Sequence, residues 1–461
     1  MPEIPLEQIE QNFAEIHPLM TAAEALAEAN RCLYCYDAPC TLACPTHIDV
    51  PSFIKKIASG NLTGSARVIF DANPIGSTCA KVCPVEVLCE GACVEKTLVQ
   101  KPIEIGRLQR FATEHVLTNG KPLFTKADPN GRSVGVIGSG PAGISCATYL
   151  ARLGYDVTIY ERREKPGGLD TYGMAEYKMT QGDSLAEVAQ VEKLGVSFRL
   201  NTTVTSAIHL NDSEGSGEHV IFRELVDRHD AVFVGVGLGS TRVLDIPGES
   251  LRGVYDALRF IEKVKTRSWA EVPIGTTVAV IGAGNTAIDA VTQAKRLGAE
   301  HAVLIYRRSE KDAPAYDYEL ELAKTDGIEF EWNAAPVRIL SNGNGSVAGV
   351  ACRKADGTEF ELACDVVIKA IGQTKMNSFF TDVCEVEIDE AGRVVVNDQM
   401  QTSNPKVFAG GDCVNGGGEA VEAAQMGKLA AQGIHKTLTG ESVQFAGASV
   451  TSIDPSGRHT Y

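Results

Sequence analysis

The 461-residue sequence predicts an α/β protein: an N-terminal α-helical iron-sulfur domain, then two dinucleotide-binding domains, the second inserted in the first. Three observations predict it. Eight of the thirteen cysteines fall between Cys32 and Cys93. Two strand–glycine turn–helix–strand patterns begin at Ser133 and Thr276. A third strand, glycine-rich turn and helix, VFAGGDCVNGGGEAVEAAQMGKLAA, comes after the second pattern and leads back to the first.

The helical part comes first and is expected over residues 1–125. Its Ala- and Glu-rich stretch Thr21 to Asn30 has helical periodicity, and Cys-Pro steps punctuate the chain beyond it. A polar linker, Lys126 to Arg132, separates it from the first strand. Composition is that of an ordinary globular protein, 44% apolar and 22% charged, and no apolar run approaches the roughly 20 residues a membrane span needs. A net charge of −16 repels phosphate backbones and argues against nucleic-acid binding. The opening MPEIPLEQIEQNF has neither a basic nor an apolar leader region, so a cytoplasmic location is expected.

In a reducing compartment a dense cysteine patch points to metal or cluster ligation before disulfides. Cys32, Cys35, Cys40 and Cys44 form one block; Cys79, Cys83, Cys89 and Cys93 form the other. Two 4Fe-4S clusters need about eight ligands, and thiolates are their usual ones. Two structural zincs would use eight cysteines as well. The Cys-Pro steps at Cys44 and Cys83 and the nearby dinucleotide folds favour redox chemistry. Spacing alone suggests one cluster per block without forcing it. The scattered Cys146, Cys352, Cys364, Cys384 and Cys413 read as plain core or surface thiols.

In the first Rossmann-like unit, expected over 130–250 plus 396–461, Gly138, Gly140 and Gly143 form G-x-G-x-x-G, with Pro141 and Ala142 opening the helix. The glycines permit a tight turn and close approach of a pyrophosphate, and the helix N-terminus supplies amide donors. Glu161 closes the second strand, where a carboxylate suits ribose hydroxyls. Arg162, the turn ending in Gly168 and Leu169, and Gly411 with Asp412 in the later AGGD favour FAD. Asp412 is the candidate for the ribityl and pyrophosphate region, with capping of the following helix as its plain alternative.

The second unit, expected over 251–395, has Gly282, Gly284 and Ala287 as G-x-G-x-x-A, with Asn285 and Thr286 at the helix start. Its second strand ends in Tyr306, Arg307 and Arg308, where an NAD-selective site would place an acid. Two guanidiniums suit a 2′-phosphate, which favours NADPH over NADH. Hydride transfer to a flavin needs no side-chain acid or base, so no catalytic residue is assigned.

These blocks, with IGRLQRFATEHV after them, closely resemble the N-terminal portion of dihydropyrimidine dehydrogenase and also the small subunit of NADPH-dependent glutamate synthase. The stretch EANRCLYCYDAPCTLACPTHIDVPSFI is most similar to the dihydropyrimidine dehydrogenase side, in the bacterial form with a separate flavin subunit. The resemblance implies one cluster on Cys32, Cys35, Cys40 and Cys93, and a second on Cys44, Cys83, Cys89 and Gln109, leaving Cys79 a spare thiol. Residue chemistry alone ranks Cys79 above Gln109. The implied function is an electron-input subunit that passes electrons from NAD(P)H through FAD and the clusters to a partner. Because the sequence reaches Tyr461 without an FMN-binding barrel, a separate FMN-containing subunit is expected to reduce uracil or thymine. A glutamate synthase small subunit is the alternative, and a zinc-holding scaffold with structural nucleotides is a third reading. Gly447 to Tyr461 reads as an interaction tail or an unstructured end.

Overall fold

The computed structural model describes residues 4–120, 122–207 and 217–447, so the tail beyond Gly447 lies outside the described residues. The chain forms two compact units. One takes His17–Thr171, Gly182–Leu238 and the chain from Lys375 on; the other takes the chain up to Ile16, Tyr172–Gln181 and Gly239–Thr374.

The first of these is built on a five-stranded parallel sheet. Its order is Val407–Ala409, Ala231–Val234, Ser133–Ile137, Asp156–Tyr160, Ser197–Arg199. All four residues of Ala231–Val234 are buried, as expected for a parallel strand covered on both faces. Strand order reverses beside Ser133–Ile137, the place where such sheets open a ligand crevice at their carboxyl ends. Helix Pro141–Arg152 leaves that strand and packs on helix Ala420–Thr439. Ser145 donates to the Ala424 carbonyl at 2.6 Å, and a Cβ on Gly427 would stand 2.2 Å from the Ala142 carbonyl oxygen. The last strand and helix therefore return to the first fold.

The cysteine-bearing helices belong to this same unit. Thr21 and Glu24 close a capping box on Ala22–Ala29, and Asp49 and Asn61 cap Val50–Ala58 and Leu62–Ala72. Phe53, Ile54, Ile69 and Leu108 are fully buried and share one apolar core with the sheet residues Val134, Ile159 and Phe233.

The second unit repeats the plan. Its parallel sheet runs Glu329–Trp332, His301–Tyr306, Thr277–Ile281, Val366–Lys369, Val254–Asp256. A three-stranded antiparallel sheet, Ala334–Ser341, Val347–Lys354 and Glu359–Ala363, adjoins its core. Helix Leu6–Asn12 belongs here: Ile9 and Phe13 are buried in this core and Phe13 stacks on Trp269 with centroids 4.8 Å apart. The chain enters near Gly239 and leaves near Thr374, and these segments run side by side, with Gly239 N–H donating to the Thr374 carbonyl at 2.9 Å. No helix among the described residues is long and apolar enough to cross a membrane.

Candidate cofactor sites

The first glycine turn is tight because two of its glycines meet backbone. Gly138 has φ 93°, and a Cβ there would lie 2.5 Å from the Gly235 carbonyl oxygen, in the loop after strand Ala231–Val234. A Cβ on Gly143 would lie 2.0 Å from the Gly138 carbonyl oxygen, so the helix seats directly on the turn. Gly140 differs: its nearest neighbour would be the Gly168 Cα at 4.0 Å. That opening beside a helix N-terminus is the cradle a pyrophosphate requires. The residue types therefore fit a dinucleotide.

Glu161 is buried, and its carboxylate accepts from Ser139 N at 3.0 Å, Ser139 Oγ at 2.6 Å and Arg163 N at 2.9 Å. It ties the end of the second strand to the glycine turn, a bracing role that sequence position alone does not convey. Arg162 is exposed, as is Leu169. Gly411, φ 79°, brings the AGGD loop against the turn, since its Cβ would stand 3.1 Å from that of Ala142. Asp412 makes no capping bond to its helix; it accepts from Gly418 N–H at 3.1 Å. Burial pushes its carboxyl above the usual range, opposed by Gly418 and Lys375.

In the second unit Gly282, φ 130°, would place a Cβ 2.2 Å from the Ala370 carbonyl oxygen, again in the loop after the strand next to the first. Gly284 is open, its nearest neighbour being Pro314 at 3.8 Å. Asn285 accepts from Tyr316 N–H at 3.1 Å, Thr286 is exposed and Ala287 is buried. Arg307 and Arg308 are both exposed at the end of the second strand, with the Arg308 guanidinium 6.0 Å from the Tyr306 ring centre. Two solvent-facing guanidiniums suit a phosphate or an adenine face.

The cysteines sort across the two blocks. Cys32, Cys35, Cys40 and Cys93 line a single cavity with Leu33, Pro39, Val50 and Ile54. Burial pushes the Cys40 thiol up to about 12, and Cys93 and Cys32 add to it. Cys44 lies instead near the other block: burial and then Cys44 raise the Cys89 thiol well above normal, and a hydrogen bond that Cys83 donates to Cys79, then burial, does the same for Cys83. Crowded buried thiols held up in this way are relieved when a metal centre takes them as thiolates. The donor set fits iron-sulfur clusters. Among the described residues no three His, Cys, Asp or Glu side chains converge as they would on a single metal ion. A 4Fe-4S cube instead takes each thiolate at a separate iron, over a wider frame.

Both candidates for the eighth ligand are buried. Asn73 Nδ2 donates to Cys79 Sγ at 3.1 Å, and Gln109 Nε2 donates to the Gly76 carbonyl at 2.6 Å, at the start of the helix carrying Cys79. Sequence reasoning missed two buried ionisable groups of this unit. Glu187, on helix Gln181–Lys193, accepts from Ser77 N–H and from the N–H and hydroxyl of Thr78, and burial pushes its carboxyl up to about 8. Burial pushes the Lys428 ammonium down to about 7, opposed by Cys44 and Asp71.

The family model for pyridine nucleotide-disulphide oxidoreductases matches residues 132–427. The chain belongs to that family. As a pyridine nucleotide-disulphide oxidoreductase it carries an added N-terminal part: residues 9–121 match the model described as dihydropyrimidine dehydrogenase domain II, 4Fe-4S cluster. The glutamate synthase [NADPH] small chain of Escherichia coli is 33% identical, over 95% of this chain and 96% of that one. The NAD-dependent dihydropyrimidine dehydrogenase subunit PreT of the same organism is also 33% identical, over 94% and 98%. Among solved structures, the thioredoxin reductase of T. acidophilum has a TM-score of 0.52 at 23% identity, covering 66% of this chain and 98% of that one, a likeness of fold. The chain is thus a flavin and iron-sulfur oxidoreductase of the kind found as a subunit.

Proposed function

We propose that this chain is the electron-input subunit of an NAD(P)H-dependent dihydropyrimidine dehydrogenase, feeding an FMN-containing partner that reduces uracil or thymine. FAD sits at the turn Gly138–Gly143 with Glu161, Gly168 and Asp412 around it; the nicotinamide dinucleotide sits at Gly282–Ala287, with Arg307 and Arg308 favouring NADPH. Two 4Fe-4S clusters occupy the cysteine groups, one on Cys32, Cys35, Cys40 and Cys93, the other on Cys44, Cys83, Cys89 and Gln109. The observation that carries the reading is that cysteines from both blocks line one cavity, in the unit whose core also holds the first glycine turn. When bound, the flavin takes an electron pair as hydride and the clusters take single electrons, so paired electrons leave one at a time. The chain's own residues do the holding. Glycines clear space for phosphates, Glu161 braces the turn, and buried thiols bind iron in a reducing compartment, the cytoplasm.

The relatives support a subunit role, and PreT carries the pyrimidine reading. The equal identity of the glutamate synthase small chain, together with the paired arginines, favours a second reading as the flavin subunit of such a synthase. Affinity purification from the native host, followed by assay of the complex, separates them. NAD(P)H oxidation dependent on uracil supports the first; oxidation dependent only on glutamine plus 2-oxoglutarate replaces it with the second.

A further inference from the structure

Lys428 lies in the middle of helix Ala420–Thr439, on the nucleotide-fold side of its unit, yet it is 1% exposed and ranks among the largest fully buried side chains. Its Nζ donates to three backbone carbonyls: Thr46 at 3.0 Å, Ala72 at 2.7 Å and Ala446 at 3.1 Å. Three acceptors match the three N–H groups of an ammonium, one more than a neutral amine has.

Two of these carbonyls lead to sulfur. Thr46 is buried, and its Oγ1 is 3.4 Å from Cys44 Sγ. Ala72 precedes Asn73, also buried, whose Nδ2 donates to Cys79 Sγ at 3.1 Å. The third holds the chain at 446–447 over the same loop, where a Cβ on Gly447 would stand 2.1 Å from the Thr46 carbonyl oxygen. At the other end of the clamp, the neighbouring Gly427 sits against the Ala142 carbonyl, at the start of the helix that leaves the first glycine turn. Other charges nearby are Arg152 and Asp71, which pair with each other, and the face of Tyr149 lies 5.8 Å from the ammonium.

Resting on the proposed assignment of an iron-sulfur cluster to the second cysteine group, we propose that Lys428 is a positioning residue for that cluster. It clamps the Cys44 loop and the Asn73 loop together and, as an ammonium, sets a positive charge between those loops and the first nucleotide fold. Cys44 belongs to this group whichever of Cys79 and Gln109 is the eighth ligand. A buried cation favours the more negative, reduced state of a nearby anionic centre, so it raises the ease of reduction. A lysine midway along an Ala-rich helix would otherwise face solvent, because burying an ammonium is costly without such a purpose.

The test uses full-length protein purified anaerobically, as wild type, Lys428→Met and Lys428→Gln. Iron, sulfide and flavin are counted per chain, and the cluster signals are followed by electron paramagnetic resonance during a redox titration. Lys428→Met removes both charge and donors; it should keep its flavin and lose roughly half of its iron, that of one of two cubes. Lys428→Gln keeps donors without the charge; it should retain iron while one cluster titrates at a lower potential and the other is unmoved. Full iron with both midpoints unchanged in both variants overturns the proposal. Joint loss of flavin and iron in both also overturns it, by marking a general packing role. A wild-type chain that takes up no iron contradicts the cluster assignment itself.

Discussion

The two nucleotide folds share a backbone and differ in charge. In each, the first glycine of the turn meets a carbonyl from the loop after the adjacent strand, Gly235 in one and Ala370 in the other, and the second glycine faces open space. At the end of the second strand the first fold buries a carboxylate, Glu161, while the second exposes Arg307 and Arg308. Geometry makes both turns fit for a pyrophosphate; in the proposed function the charge beside it sorts the dinucleotides. Buried ionisable groups are held in two ways, by ion pairs, which the first unit also has in Lys81 with Asp183 at 2.8 Å, and by backbone groups. The second unit pairs Lys178 with Asp289 and Glu319 at 2.7 and 2.5 Å. The first holds Glu187 and Lys428 on backbone N–H and C=O groups.

The largest effects should come from breaking one turn and sparing the other. Gly143→Ala forces a Cβ into a backbone oxygen, and overpacking of this kind costs typically ~1–3 kcal/mol. Flavin per chain should fall by about tenfold or more, while NADP+ binding to the other fold persists. Gly282→Ala adds strain at φ 130° and should do the reverse, keeping flavin and weakening NADP+. Absorbance and calorimetric titration read both; equal loss of both ligands in either variant would break the comparison.

The contrast between these two ways predicts a pH dependence. Glu187 has its folded pKa raised to about 8 from an ordinary 4.5, so between those values the native state holds more protons than the unfolded one. Stability should therefore fall as pH rises from about 5 to 8 and level off above. Glu187→Gln should flatten that slope by on the order of a few kcal/mol across the window. Thermal melting at several pH values decides it; an unchanged slope refutes the assignment.

Much of this was legible in the sequence, for physical reasons. Gly138 and Gly282 adopt positive φ that few other residues tolerate, so the turns declare themselves. The return of the C-terminal strand and helix to the first fold was legible from a third glycine turn. Helix Leu6–Asn12 was not, since seven residues with one buried isoleucine carry no address for the core they join. Cysteine spacing suggests one cluster per block, but Cys93 joins the first block's cavity because the helices fold back, a tertiary fact. Glu161 was found and its partner Ser139 was not, because a serine in a glycine turn has no distinguishing pattern.

A smaller effect tests Glu161 as a brace. Glu161→Gln removes the charge from bonds worth about 1.5–3 kcal/mol, so flavin affinity should drop about tenfold without loss of fold. Wild-type affinity would assign the turn's order to backbone packing alone. Smallest is the sorting charge: Arg307→Ala with Arg308→Ala should lower kcat/KM for NADPH several-fold against NADH, as exposed charges contribute up to ~1 kcal/mol each. An unchanged ratio would leave the arginines without a role in selection.

The most direct measurement is an anaerobic visible spectrum of the purified, matured wild-type chain before and after NADPH or NADH. Flavin absorbance over a broad iron-sulfur band, both bleaching on addition of the reduced nucleotide, is the predicted result. A preparation without flavin or iron, or one whose colour the nucleotide leaves unchanged, contradicts a relay from nicotinamide through flavin to iron.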